Sequence, residues 1–150
     1  MHDIRFVSAT SFKQKPADEK NLGFGKRFTD YMFVMDYDRE NGWHDARIEP
    51  YGNFSLDPAT AVFHYGQEIF EGLKAYRRDD GGIQMFRPQA NFKRMNRSAA
   101  RMAIPQFDEE FALEALEKLV EIEKDWVPHT RGASLYIRPT IIATDPFLGV

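Results

Sequence analysis

Between residues 89 and 126 two amphipathic helical patterns follow one another with little more than a proline and a capping aspartate between them. Each carries an apolar stripe that is stable only against a partner surface. Gln89 to Met102 sets Phe92, Met95, Ala99 and Met102 along one side, and Pro105 stops the pattern. Asp108 then supplies the side-chain acceptor that a helix start needs, ahead of a stripe of Phe111, Ala115, Leu119, Ile122 and Trp126.

Strand signals flank this pair. Asp30 to Tyr37 (DYMFVMDY) has almost no polar interruption, which predicts a strand covered on both faces. The cluster RENG turns the chain toward a second short strand over Ala46 to Glu49, and YGNFSLDPAT reads as loop. Ala59 to Phe70 predicts short helical turns. Leu73 to Tyr76 and Ile83 to Phe86, joined by RRDDGG, predict a hairpin, because Asp and Gly tolerate the backbone angles of a tight connection. Ser134 to Thr144 (SLYIRPTIIAT) is rich in β-branched residues and predicts one more strand. Its Pro139 has no N–H to give, so that strand must lie at an edge or carry a bulge. Residues 1–23 are polar, of mixed charge and without period, and read as a loosely structured leader, with structure starting near Phe24. The expectation is an α+β domain over residues 24–150, with a largely antiparallel sheet and helices packed on one side.

Composition narrows the partners. Apolar residues make up 43% of the 150, with 13 Phe, which is material for one real core. A formal charge of -3 gives no field to draw the chain onto nucleic acid or anionic lipid. No apolar run approaches the roughly 20 residues that span a bilayer, and no secretory start signal is present. The absence of cysteine removes any disulfide framework or thiolate zinc site and fits a reducing, cytoplasmic setting.

Three groups of residues carry possible chemistry. Arg94, Arg97 and Arg101 rise from one helix face, where one of them could grip a phosphate or all three could simply meet solvent. Tyr136 and Arg138, two apart on a strand, point the same way; they suit a carboxylate ligand, or merely cap the sheet. Phe63 to Arg77 (FHYGQEIFEGLKAYR) is dense in aromatics around two glycines, as a pocket lining or a core would be. His64 has no second ligand at metal spacing, so no metal site is expected. GxSxG, Walker, GxGxxG and HExxH motifs are all missing, which leaves hydrolase, nucleotidase, dinucleotide and metalloprotease readings without local support.

Five strings decide more than spacing can. FGKRFTDYM, FHYGQEIFEGLKAYR, IQMFRPQANFKRMNRSAARM, KDWVP and SLYIRPT closely resemble, in order and spacing, the branched-chain aminotransferases of fold-type IV, over Phe24 to Val150. The resemblance implies the small domain of such an enzyme, with pyridoxal 5′-phosphate as cofactor and transamination of leucine, isoleucine and valine with 2-oxoglutarate as activity. It selects Arg94 as the phosphate ligand and leaves Arg97 and Arg101 to solvent. It implies that Tyr136 lines the substrate pocket, that Arg138 helps fix the substrate carboxylate, and that Phe24 and Phe70 hold the branched side chain. Tyr65 and Val150 match positions that reach a neighbouring subunit's site, which implies a homodimer with shared sites.

The family's cofactor-binding lysine belongs to a large domain beyond Val150, so no catalytic residue is expected in these 150 residues and the chain alone should be inactive. Lys74, Lys26 and Lys93 match no catalytic position. Within the same fold a D-amino acid aminotransferase or an aminodeoxychorismate lyase is the alternative; from another class, a non-catalytic binding or dimerisation module.

Overall fold

The long hairpin near the start shows how local chemistry sets the frame. In a computed structural model, which describes residues 3–149, strands β2 (Tyr31–Asp38) and β3 (Gly42–Pro50) pair antiparallel. Asp38 closes their turn by accepting from the backbone N–H groups of Glu40 and Asn41 at 2.9 and 2.7 Å, and Gly42 supplies a positive φ of 67°. β2 is covered along part of its length: Tyr31 is buried and Met32 to Met35 are half-buried, while Asp36 and Tyr37 near the turn are exposed. The strand predicted to be covered on both faces is therefore half-buried, sheltered where Phe33 meets the ring of Phe111 and open toward its turn.

The leader is less loose than its composition predicts. Arg5 and Phe6 form β1, parallel to β3 and in register with Arg47 and Ile48. Ile4 is buried beside Ile48, the Ala9 N–H donates to Tyr31 Oη at 3.0 Å, and the Lys13 N–H donates to Asp30 at 2.8 Å. Long-range pairing supplies order that no local pattern announces.

The rest of the sheet structure is one antiparallel ribbon, interrupted in the middle. β4 (Glu68–Phe70) pairs with β8 (Thr140–Ile142), and β5 (Leu73–Arg77) pairs with β7 (Leu135–Ile137). Phe70 faces Thr140 and Leu73 faces Ile137, so one register runs through the corner formed by Glu71, Gly72, Arg138 and Pro139. There the Glu71 N–H donates to the Pro139 carbonyl at 2.9 Å. The single strand predicted over Ser134 to Thr144 is thus two strands in two sheets, divided where Pro139 offers no donor. The turns predicted over Ala59 to Phe70 shrink to α1 (Ala61–Tyr65), and the remainder joins the ribbon as β4. β6 (Ile83–Met85) completes the hairpin with β5.

Helices α2 (Pro88–Arg101) and α3 (Glu109–Ile122) follow. Arg87 precedes α2 in a left-handed conformation and Pro88 takes its first position, where a missing N–H costs nothing. Asp108 accepts from Glu110 N and Phe111 N at the start of α3. The α+β class stands, but the antiparallel pairing is divided among three small sheets and the helices serve all of them. Phe111 and Ala115 of α3 pack with Tyr31, Ala46 and Ile48, while Leu116 and Val120 pack with Leu73, Ala75 and Phe92. Met95 and Ala99 of α2 close a third cluster with Ile69 and Ile104. Two residues leave their predicted stripes. Met102 lies past the end of α2 and is exposed, and Trp126 sits in a separate short turn, with its ring N–H donating to Asp30 at 2.9 Å.

Candidate active site at the ribbon corner

The corner of the ribbon gathers most of the residues singled out from sequence. Gly72 is required there by proximity: a Cβ at this position would stand 2.1 Å from Tyr136 Oη. The Tyr136 ring meets the ring of Phe24 edge-on, with centroids 4.9 Å apart. Arg138 lays its guanidinium 4.3 Å over the ring of Phe70 and donates to Tyr136 Oη at 3.1 Å. Phe24, Phe70, Tyr136 and Arg138 are thus brought together from separate stretches of chain. The two phenylalanines remain 68% and 62% exposed, so this cluster is a surface and no part of the core. The partners of Arg138 among the described residues are two rings and a phenol, which leave most of its donors open.

Arg94 reaches the same corner from α2. Its Nε donates to Glu71 Oε1 at 2.6 Å and its Nη2 to Glu71 Oε2 at 2.8 Å. Glu71 is buried, and Asn91 Nδ2 donates to it at 3.0 Å and to the Gly72 carbonyl at 3.1 Å. The Arg94 side chain meanwhile keeps 58% of its surface in solvent. Hydrogen bonding from Arg94 holds the Glu71 carboxyl below its ordinary range, ahead of the opposing effect of burial. Arg97 and Arg101 are exposed. Next to the corner lies an open depression of about 240 Å³ whose walls include Gly72, Lys74, Phe86, Asn91 and Tyr136. A hollow of about 530 Å³ between β6, the start of α2 and α3 contains none of the predicted site residues.

Tyr65 stands apart, exposed at the end of α1 with its ring beside that of His64. Val150 lies outside the described residues. Glu71 and Asn91 were not singled out from sequence; the aromatic string holds two carboxylates, Glu68 and Glu71, and nothing local tells the buried one from the exposed one. Lys74 is exposed on β5 opposite Tyr136. Among the described residues no helix is long and apolar enough to cross a membrane, and no group of three His, Cys, Asp or Glu side chains is placed to hold a metal ion.

The fold that builds this corner is that of solved branched-chain aminotransferases. The enzyme from the thermophilic archaeon Thermoproteus uzoniensis superposes with a TM-score of 0.58 at 22% identity, over 69% of this chain and 33% of that one. A second branched-chain amino acid aminotransferase, solved in complex with N-(5′-phosphopyridoxyl)-L-glutamate, gives 0.54 at 27% identity over 67% of this chain and 32% of its own. No family model matches the chain.

Sequence comparison is more specific. The chain is 63% identical over 139 residues to branched-chain-amino-acid transaminase 1 of Bacillus subtilis (strain 168), which covers 93% of this chain and 39% of that protein. It is 47% identical over 148 residues to the cytosolic branched-chain-amino-acid aminotransferase of Caenorhabditis elegans, covering 99% of this chain and 36% of the relative. The chain is related to the branched-chain-amino-acid aminotransferases along nearly its whole length, and it spans about 40% of the length of the curated relatives it matches.

Proposed function

We propose that residues 24–150 form the small domain of a branched-chain-amino-acid aminotransferase, with residues 1–23 laid over it. The whole protein would transfer the amino group of leucine, isoleucine or valine to 2-oxoglutarate. The observation that carries this reading is the convergence of two arginines and an aromatic surface on one ribbon corner, in a chain so similar to named transaminases.

Each residue has a role its chemistry suits. Arg94 would hold the phosphate of pyridoxal 5′-phosphate, and the donor set fits: a guanidinium fixed along one edge has its other edge free for an anion. When bound, that cofactor supplies the electron sink on which amino-group transfer depends. Arg138 would grip the substrate carboxylate with its open donors while its bond to Tyr136 keeps the fork oriented. Phe24 and Phe70 would receive the branched side chain, which forms no hydrogen bonds and is selected by apolar contact worth about 1 kcal/mol per methylene. Tyr136 and Tyr65 would supply the polar margin that a glutamate side chain needs. Tyr65 and Val150 would serve the neighbouring site of a homodimer. The lysine that bonds to the cofactor would come from the remainder of the protein.

The test compares the 150-residue chain with a longer protein carrying that remainder, in leucine turnover with 2-oxoglutarate. The longer protein is expected to turn over leucine and lose cofactor retention on Arg94→Ala, while the short chain is inactive. Turnover by the short chain, or a preference for D-alanine over leucine in the longer one, overturns the reading.

A further inference from the structure

Glu71 is the one carboxylate buried at the corner, and its donors are arranged so that little of it is left free. Oε1 accepts from Arg94 Nε; Oε2 accepts from Arg94 Nη2, from Asn91 Nδ2 at 3.0 Å and, more weakly, from the Gly72 N–H at 3.3 Å. Its side chain is 6% exposed against 58% for Arg94. A surface ion pair between two mobile side chains contributes little, because both lose rotamer freedom to form it. Here one partner is already immobile, anchored by α2 through Asn91 and by its own backbone N–H on Pro139.

The atoms used matter more than the pair's strength. Nε and Nη2 form one edge of the guanidinium plane, and Glu71 occupies that edge completely. Both hydrogens of Nη1 and the second hydrogen of Nη2 remain, and one from each nitrogen forms the other two-donor edge that an anion can take bidentately. We infer that Glu71 is a positioning residue, which locks the Arg94 guanidinium along one edge so that the opposite edge is held ready for a phosphate group. The inference rests on the phosphate role proposed for Arg94. An arginine already held in place loses less freedom on binding than one free to rotate, so the benefit should appear in phosphate affinity.

The experiment measures the affinity of the full-length apoprotein for pyridoxal 5′-phosphate and for pyridoxal, which lacks the phosphate; the readout is the ratio of the two. Glu71→Gln keeps the side chain's shape but places an amide N–H₂ against one Arg94 donor, breaking the two-point lock. The ratio is expected to fall by about tenfold, the scale of one charge-assisted hydrogen bond, with pyridoxal binding unchanged. In an Arg94→Ala background the same substitution should have no further effect on the ratio. Asn91→Ala, which removes a single donor from Glu71, should lower the ratio in the same direction but less, and it serves if Glu71→Gln fails to fold. If Arg94→Ala lowers the ratio while Glu71→Gln and Asn91→Ala leave it unchanged, the positioning role is wrong and the phosphate role survives. If Arg94→Ala leaves the ratio unchanged, the phosphate role falls and the inference with it. Equal losses for both ligands in the Glu71→Gln and Asn91→Ala variants would mark Glu71 as a merely structural residue and also overturn the inference.

Discussion

Glu71 at the ribbon corner and Glu123 at the end of α3 are both nearly out of water, at 6% and 4% exposure, yet their surroundings differ in kind. Glu71 faces a cation that itself meets solvent, and Arg94 holds its carboxyl below the ordinary range. Glu123 is sealed: it accepts from the Tyr31 N–H beside the buried Asp30, and burial pushes its carboxyl up, with the nearby Asp30 charge adding to the rise. Around Glu123 every strong contact is internal, with the Lys13 N–H and the Trp126 ring N–H both donating to Asp30. That cluster ties leader, β2 and the turn after α3 into one piece. Around Glu71 the rings of Phe24 and Phe70 and the free edges of two arginines are left in water. The polar cluster around Glu123 is closed on itself, whereas the one around Glu71 has an open side.

The largest expected effect tests which region carries stability. Ile48→Ala, at a side chain with no exposure in the core beneath β3, should cost about 2–5 kcal/mol in denaturant unfolding. Phe70→Ala at the corner should cost about 0.5 kcal/mol or less, since its ring is already wet. Equal costs would erase the contrast. Gly72→Ala comes next. The new methyl would meet Tyr136 Oη and Cζ at 2.1 and 2.9 Å, so the ring must swing away from Phe24 and Arg138. Thermal denaturation should register a loss of about 1–3 kcal/mol, the usual range for overpacking, and a variant as stable as its parent would show that the close approach is dispensable.

The smallest effect is the most diagnostic. A carboxyl lowered on folding, as in Glu71, stabilises fully above the ordinary glutamate value of 4.5 and loses that contribution as pH falls through its lowered value. A carboxyl raised on folding, as in Glu123, contributes fully below 4.5 and loses that contribution as pH rises through its raised value. Glu71→Gln should therefore flatten the acid side of a stability–pH profile, and Glu123→Gln the decline toward neutrality. Unfolding midpoints measured from acid to neutral pH check this, and two variants that flatten the same side would refute the distinction.

Much of the candidate cluster was legible as residues of interest because they sit in dense local strings. Tyr136 and Arg138 share a face of the predicted strand by period alone, and although Arg138 lies just past the end of β7 it donates to Tyr136 Oη. The hairpin between β5 and β6 and the Asp108 cap follow from turn and cap chemistry that acts within a few residues. What stayed hidden depends on distant partners. No local pattern marks Asn96, yet it is buried and staples α2 to the segment before α3 through the Phe107 carbonyl at 2.8 Å. Nothing local marks Arg5 and Phe6 as a strand, because β3, far along the chain, supplies their ladder.

The sequence by itself determined the two amphipathic helices, the turns, the α+β class and the identity of the arginines and rings that could matter. These follow from periodicity, capping and side-chain chemistry, which act over a few residues. Only the tertiary structure decided that the ribbon is interrupted at Glu71 and Pro139, that Phe24 lands on Tyr136, and that a buried glutamate occupies one edge of Arg94. Contacts of that kind depend on which surfaces close the core and which backbone donors have no partner in their own strand, and the whole chain settles both at once.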